Sequence, residues 1–268
     1  MTTLRQPRQP RALILYRGPS LLDGAPIVVV AMLSARNRKT GAMVQTYIQR
    51  ADVDPVTASR LGLDASNCGA CPMRGEARPD ATAGQAAGRD CYVLLGQGPT
   101  GVHKGLARGI YPDATDAADI AALGRGRLVR IGTYGDGAAV PAWVWAALLS
   151  EATAHTAYSH QFDVAGSSAD AGRYMQSANS EAEARDAWAK GRRTFRVVRS
   201  AAEIVKGAEI MCPASKEAGA RVQCADCRLC GGADTRAKSI AIIDHGPVAR
   251  AKAKRHFTLT RNGEAIAA

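Results

Sequence analysis

The sequence predicts a mixed α/β protein, a (β/α) barrel or partial barrel with two cysteine-rich metal-binding loops. Three observations lead there. Strand-like and helix-like segments alternate at intervals of roughly 15 to 30 residues from residue 127 onward. Polar residues recur where those strands stop, as they do at the mouth of a barrel. All seven cysteines fall in two clusters. With 268 residues, 46% hydrophobic and 22% charged, the chain can bury a full core.

Residues 1–12 read as a flexible basic arm, 13–246 as a single barrel-like domain and 247–268 as a basic C-terminal segment. Within the domain, "RALILY", "PIVVVAML" and "GAMVQTYIQR" have strand patterns. "DPVTASRLGL" predicts a helix with Asp54 as cap and Pro55 at its first position. "GEARPDATAGQAAGRD" has no period and reads as a loop, and "PTGVHKGLARG" as a short helix ended by glycine. Then come "RLVRIGTY" (strand), "PAWVWAALLSEATA" (helix), "HTAYSH" (strand), "ADAGRYM" (short helix) and "QSANS" (short strand). "SEAEARDAWAKG" predicts a helix with a capping box of Ser180 and Glu183, closed by Gly191. "TFRVV", a helical turn over "AAEIVKG", "AEIMCP" and "KSIAIIDHG" complete the order.

Small buried hydrophobes would scatter cysteines through apolar segments, whereas these obey ligand spacing. Cys68, Cys71 and Cys91 follow C-x2-C-x19-C, and Cys212, Cys224, Cys227 and Cys230 follow C-x11-C-x2-C-x2-C. The odd count and the absence of a signal peptide argue against a disulfide framework and for a cytoplasmic protein. Four thiolates can close a tetrahedral zinc site, and Cys224, Cys227 and Cys230 with His245 offer a three-cysteine, one-histidine alternative. The tight C-x2-C-x2-C run favours an iron-sulfur cluster, because structural zinc usually takes two separated pairs.

At the strand ends stand Asp136, His160 with Gln161, Ser177 with Asn179, Cys212 with Ser215, and His245. Asp136 and His160 are the candidate catalytic groups. The formal charge of +11 points to a polyanion, nucleic acid first. Eight basic residues against Asp23 in residues 1–50, Arg36, Arg38 and Lys39 among them, suit phosphate tracking. No apolar run is long enough for a membrane helix.

The succession "NRKTGAMVQTYI", "CGACP", "CYV", "GTYGDGAAVP", "YSHQF" and "CPAS…C..C..CGG" resembles an uncharacterised phage-borne cysteine-rich family, over about Leu13 to Gly246. A more distant likeness is to radical S-adenosylmethionine enzymes, whose partial barrels often set a cysteine beside an aromatic residue, as Cys91 and Tyr92 stand here. That likeness implies a [4Fe-4S] cluster on Cys68, Cys71 and Cys91 with one iron open to S-adenosylmethionine, Tyr92 beside the cofactor, and a second cluster closed by the other four cysteines. The C-terminal cysteines also resemble the zinc site of tRNA-guanine transglycosylases, which implies structural zinc and Asp136 as nucleophile. Three functions stay open: a radical-type iron-sulfur enzyme acting on nucleic acid or a nucleotide, a zinc-stapled transglycosylase-like enzyme, and a noncatalytic metal-stabilised phage replication or regulatory protein that binds nucleic acid.

Overall fold

The computed structural model describes residues 11–33, 39–219 and 222–244. The expectations for residues 1–10, Arg36, Arg38, His245 and the segment 247–268 lie outside the described residues. The fold is mixed α/β, built on two five-stranded sheets and, among the described residues, seven α-helices.

The first sheet has the order β1 (Ala12–Pro19), β2 (Pro26–Leu33), β3 (Val44–Arg50), β4 (Leu128–Tyr134), β5 (Ala154–Thr156). β1, β2 and β3 form an antiparallel meander, and β4 and β5 continue it in parallel. Successive residues of β1 and β2 feed opposite faces, which is why "PIVVVAML" is apolar without interruption. Leu13, Leu15, Ile27 and Val29 pack in one core with Ile131, Trp145 and Leu148, beneath α4 (Ala117–Gly124) and α5 (Ala142–Leu149). Ile14, Val28 and Val30 meet Val102 of α3 (Gly98–Ala107) on the other face.

The second sheet is wholly parallel, in the order β6 (Tyr158–Ser159), β7 (Met175–Ala178), β8 (Thr194–Val198), β10 (Ser239–Ile243), β9 (Glu209–Met211). The strand expected over "HTAYSH" joins the two sheets. It splits at the fully buried Ala157, whose N–H donates to Cys230 O at 3.2 Å and whose carbonyl accepts from Met175 N at 3.0 Å. Its first half pairs with β4 and its second with β7.

Other elements differ from the sequence reading as well. "ADAGRYM" is a turn, because Asp170 accepts from Arg173 N through its side chain (2.8 Å) and from Tyr174 N through its carbonyl (2.9 Å), and the chain then enters β7. Conversely α4 was not predicted. It is short and alanine-rich, and its start is marked only by Asp116, which accepts from Asp119 N at 2.9 Å. Among the described residues no helix is long and apolar enough to cross a membrane.

Candidate metal centres

The first cysteine cluster is built from the turn after α1 (Pro55–Leu61). Asp54 caps that helix by accepting from Val56 N and Thr57 N. Cys68 ends α2 (Ala65–Cys68), and Cys71 N returns to Cys68 O at 3.2 Å. Arg74 locks the turn with an ion pair to Asp64 at 2.7 Å and a hydrogen bond to Gly69 O at 2.9 Å. Nineteen residues later the chain comes back: Asp90 N and Cys91 N both donate to Met73 O at 3.1 Å. Arg89 fixes this return through the carbonyls of Cys91 (3.2 Å) and Val93 (2.8 Å).

The long x19 spacing therefore closes in space: Cys71 and Cys91 both lie within electrostatic reach of Cys68, and Cys91 within reach of Cys71. Burial is the main reason that the Cys68 thiol is held well above its ordinary pKa and that of Cys71 is pushed up to about 12. Asn67 Nδ2 donates to Cys68 Sγ at 3.2 Å. Close to these thiols, Asn67 Oδ1 and Arg89 Nε are buried without a hydrogen-bond partner, and the buried Tyr134 hydroxyl meets the Asn67 side chain. Buried polar atoms are normally satisfied, so such a set marks where a further polar or charged group fits.

The ends of β4 and β6 clamp this turn. Asp136 N donates to Asn67 O at 2.6 Å, Gln161 Nε2 to Cys68 O at 3.1 Å, and Ala70 N to Gln161 Oε1 at 3.2 Å. Gly69 is needed at the seam: its φ is +54°, and a Cβ there would run into the Gln161 amide. The Asp136 carboxylate is buried and fully engaged. It accepts from Ala138 N (3.0 Å), Ser159 Oγ (3.1 Å), His160 N (2.9 Å) and Gln161 Nε2 (3.2 Å). Burial raises its pKa and these hydrogen bonds oppose the rise. Asp136 thus positions two strand ends beside Cys71. The His160 ring, by contrast, faces Asn179 Oδ1 at 3.1 Å.

The second cluster draws on three segments. Cys212 follows β9 and donates its N–H to Ala241 O at 2.7 Å, Cys224 and Cys227 bound the short helix α7 (Cys224–Cys227), and Cys230 lies one turn on. The turn before β3 anchors the loop, since Cys224 N donates to Lys39 O at 2.9 Å. Cys212, Cys224 and Cys227 all lie within electrostatic reach of Cys230, and Cys224 and Cys227 within reach of Cys212. Cys212 and Cys230 are also core residues, packed with Met175, Ile240 and Ile242. Burial pushes Cys230 up to about 12, although the Tyr158 hydroxyl is hydrogen-bonded to it and works the other way.

In both clusters the thiols are gathered within electrostatic reach and are not drawn to a common point. Among the described residues no group of three or more His, Cys, Asp or Glu stands at metal-binding geometry. Tyr92, next to Cys91, is 62% exposed and accepts a hydrogen bond from Arg130.

Sequence reasoning did not single out Arg130, Tyr158, Arg74 or Arg89. Only Arg130 left a signal, as a cation inside an otherwise apolar strand. No protein-family profile, curated protein or solved structure matches the chain.

Proposed function

We propose that the chain is an iron-sulfur protein, a radical-type enzyme acting on nucleic acid or a nucleotide, with Cys68, Cys71 and Cys91 at the reactive centre. The observation that supports this reading best is the return of Cys91, across the x19 spacing, to Cys68 and Cys71, beside the buried and unpartnered Asn67 Oδ1 and Arg89 Nε. Three thiolates suit a [4Fe-4S] cluster with one iron free for a small molecule such as S-adenosylmethionine, to which such a cluster supplies an electron. The chain's own residues hold the loop (Arg74, Arg89), orient it against the sheet (Gln161, Asp136) and present Tyr92 at its rim. The two sheets, joined at Ala157, would form the halves of a partial barrel.

The second cluster suits a closed, structural centre, iron-sulfur or zinc, because Cys212 and Cys230 belong to the core of the second sheet. The four hydrogen bonds on Asp136 speak against a nucleophilic carboxylate and so against the transglycosylase-like reading. Anaerobic purification with iron, sulfide and zinc analysis tests the proposal. Iron and sulfide are expected, with a visible spectrum that changes when S-adenosylmethionine is added. Zinc at both centres and no iron would overturn it.

A further inference from the structure

Two adjoining cavities, of about 260 and 330 Å³, lie away from the first cysteine cluster, at the N-terminal ends of the second sheet's strands. They share Arg193 and Ala237 in their walls. Arg228 lines the first cavity and Arg192, Arg236 and Lys238 the second, and no carboxylate lines either one. Five cations around this groove, against Asp163 at the rim beside Arg192 and the charge of Asp234 that reaches Arg193, make a surface of net positive sign.

The cations have different duties. Arg193 is buried and builds the wall, donating to Leu229 O (2.8 Å), Gly232 O (3.0 Å) and Lys238 O (2.8 Å). Arg192 is held at the rim by Asp163 at 3.3 Å and Gln176 Oε1 at 3.2 Å. Arg236 and Lys238 are exposed and make no ion pair among the described residues. Arg228 adds an independent observation. Its φ of +55° makes it the sole non-glycine residue with positive φ among the described residues, at a helix C-terminus where glycine or asparagine is usual. A left-handed arginine costs about 1 to 2 kcal/mol in backbone strain, and such strain gathers where a side chain is needed for function. Trp188, half-buried in the second cavity, adds an aromatic wall.

We infer that this groove binds the phosphate backbone of a single-stranded nucleic acid, with Arg228, Arg236 and Lys238 as its phosphate contacts. The inference rests on the nucleic-acid part of the function proposed above and is independent of which metal is bound. It places the contact on the second sheet, apart from the basic segment around Lys39.

The test is binding of a fluorescently labelled single-stranded oligonucleotide of about 16 nucleotides, followed by anisotropy over a range of salt concentrations, with the full chain and its variants. The unaltered protein should bind at low salt and weaken steeply as salt rises. Arg236→Glu combined with Lys238→Glu, both on exposed positions, should weaken binding at least tenfold and flatten the slope of log affinity against log salt by about 1.4. Arg228→Gly relieves the backbone strain, so it should weaken binding several-fold without lowering the melting temperature, a pairing that a purely structural arginine would not give. Absence of binding by the unaltered protein overturns the groove and the nucleic-acid reading together. Binding that the double charge reversal leaves unchanged overturns the groove alone.

Discussion

Arg130 donates a hydrogen bond of 2.7 Å to the Tyr92 hydroxyl, tying the middle of β4 to the residue after Cys91. The same guanidinium carbon lies 5.9 Å from the centre of the Tyr158 ring, whose hydroxyl is bound to Cys230. Burial raises the Cys224 thiol's pKa, and the charge of Arg130 opposes that rise. One cation therefore links the residue beside Cys91 to the thiols of the second cluster.

If both centres hold iron and sulfide, replacing this cation should be felt at each. A nearby positive charge favours the reduced, more negative cluster, so Arg130→Gln should lower both midpoint potentials by on the order of tens of millivolts. Tyr92→Phe keeps the cation and removes only its tether, and should shift the first centre alone, by less. Redox titration followed by electron paramagnetic resonance checks both outcomes. A shift confined to one centre would show that Arg130 serves that centre only.

The two clusters should load independently. Cys71→Ser is expected to remove the metal of the first centre and leave the second, and Cys227→Ala to do the reverse, with a fall in melting temperature because the metal would tie α7 to the core residues Cys212 and Cys230. Gly69→Ala should mimic Cys71→Ser without touching a ligand, by pushing Gln161 off the cysteine turn. Metal and sulfide counted per chain decide each case. Full loading of the first centre in Gly69→Ala would mean that the seam with Gln161 does not shape it.

Local signals in the sequence carried far in this fold. Asp54, Pro55 and Ser180 mark helix starts by chemistry that acts within four residues, and each does so here: Ser180 accepts from Glu183 N at 3.1 Å. Glu183 reaches past its expected partner to Asn179 N at 2.9 Å, a small departure within the same turn. The gathering of the cysteines was legible because ligand spacing is itself local for the pairs. What the sequence could not show is long-range partnership. The clamp of Gln161 on Cys68, the hold of Asp136 on His160 and the place of Arg130 depend on which strand ends meet. That depends in turn on the switch of sheets at Ala157, which no period in "HTAYSH" announces.

The ion pair of Arg196 with Glu209, at 2.6 Å and with side chains only 5% and 0% exposed, crosses from β8 to β9 over the intervening β10. Removing one partner leaves the other charged and buried, so Glu209→Ala should cost about 3 to 5 kcal/mol. Replacing both, as Arg196→Met with Glu209→Leu, should cost far less, because no charge is then stranded. Denaturant unfolding of the three proteins measures the difference. Equal losses in the single and double variants would show that the pair acts through packing alone.

The metal-free protein should lose stability in alkali for a reason that can be traced to Cys230. Its ordinary thiol pKa of 9.0 is pushed up to about 12 in the fold, chiefly by burial among Met175, Ile240 and Ile242. The folded state therefore keeps the proton over a range in which the unfolded chain gives it up. The stability that this provides is complete below pH 9 and declines as the pH climbs through the interval up to about 12, at a rate of about 1.4 kcal/mol per pH unit for each such thiol. Cys71, raised to about 12 by burial as well, adds to the same decline. Cys230→Ala should remove its share: the variant starts less stable at neutral pH, having lost a packed side chain, and falls less steeply above pH 9. Loading with metal should abolish the Cys230 contribution, because a ligated thiolate has already released its proton. Urea unfolding at a series of pH values, with and without metal, tests this. A metal-free variant as steep as the unaltered protein would show that Cys230 does not keep its proton in the fold.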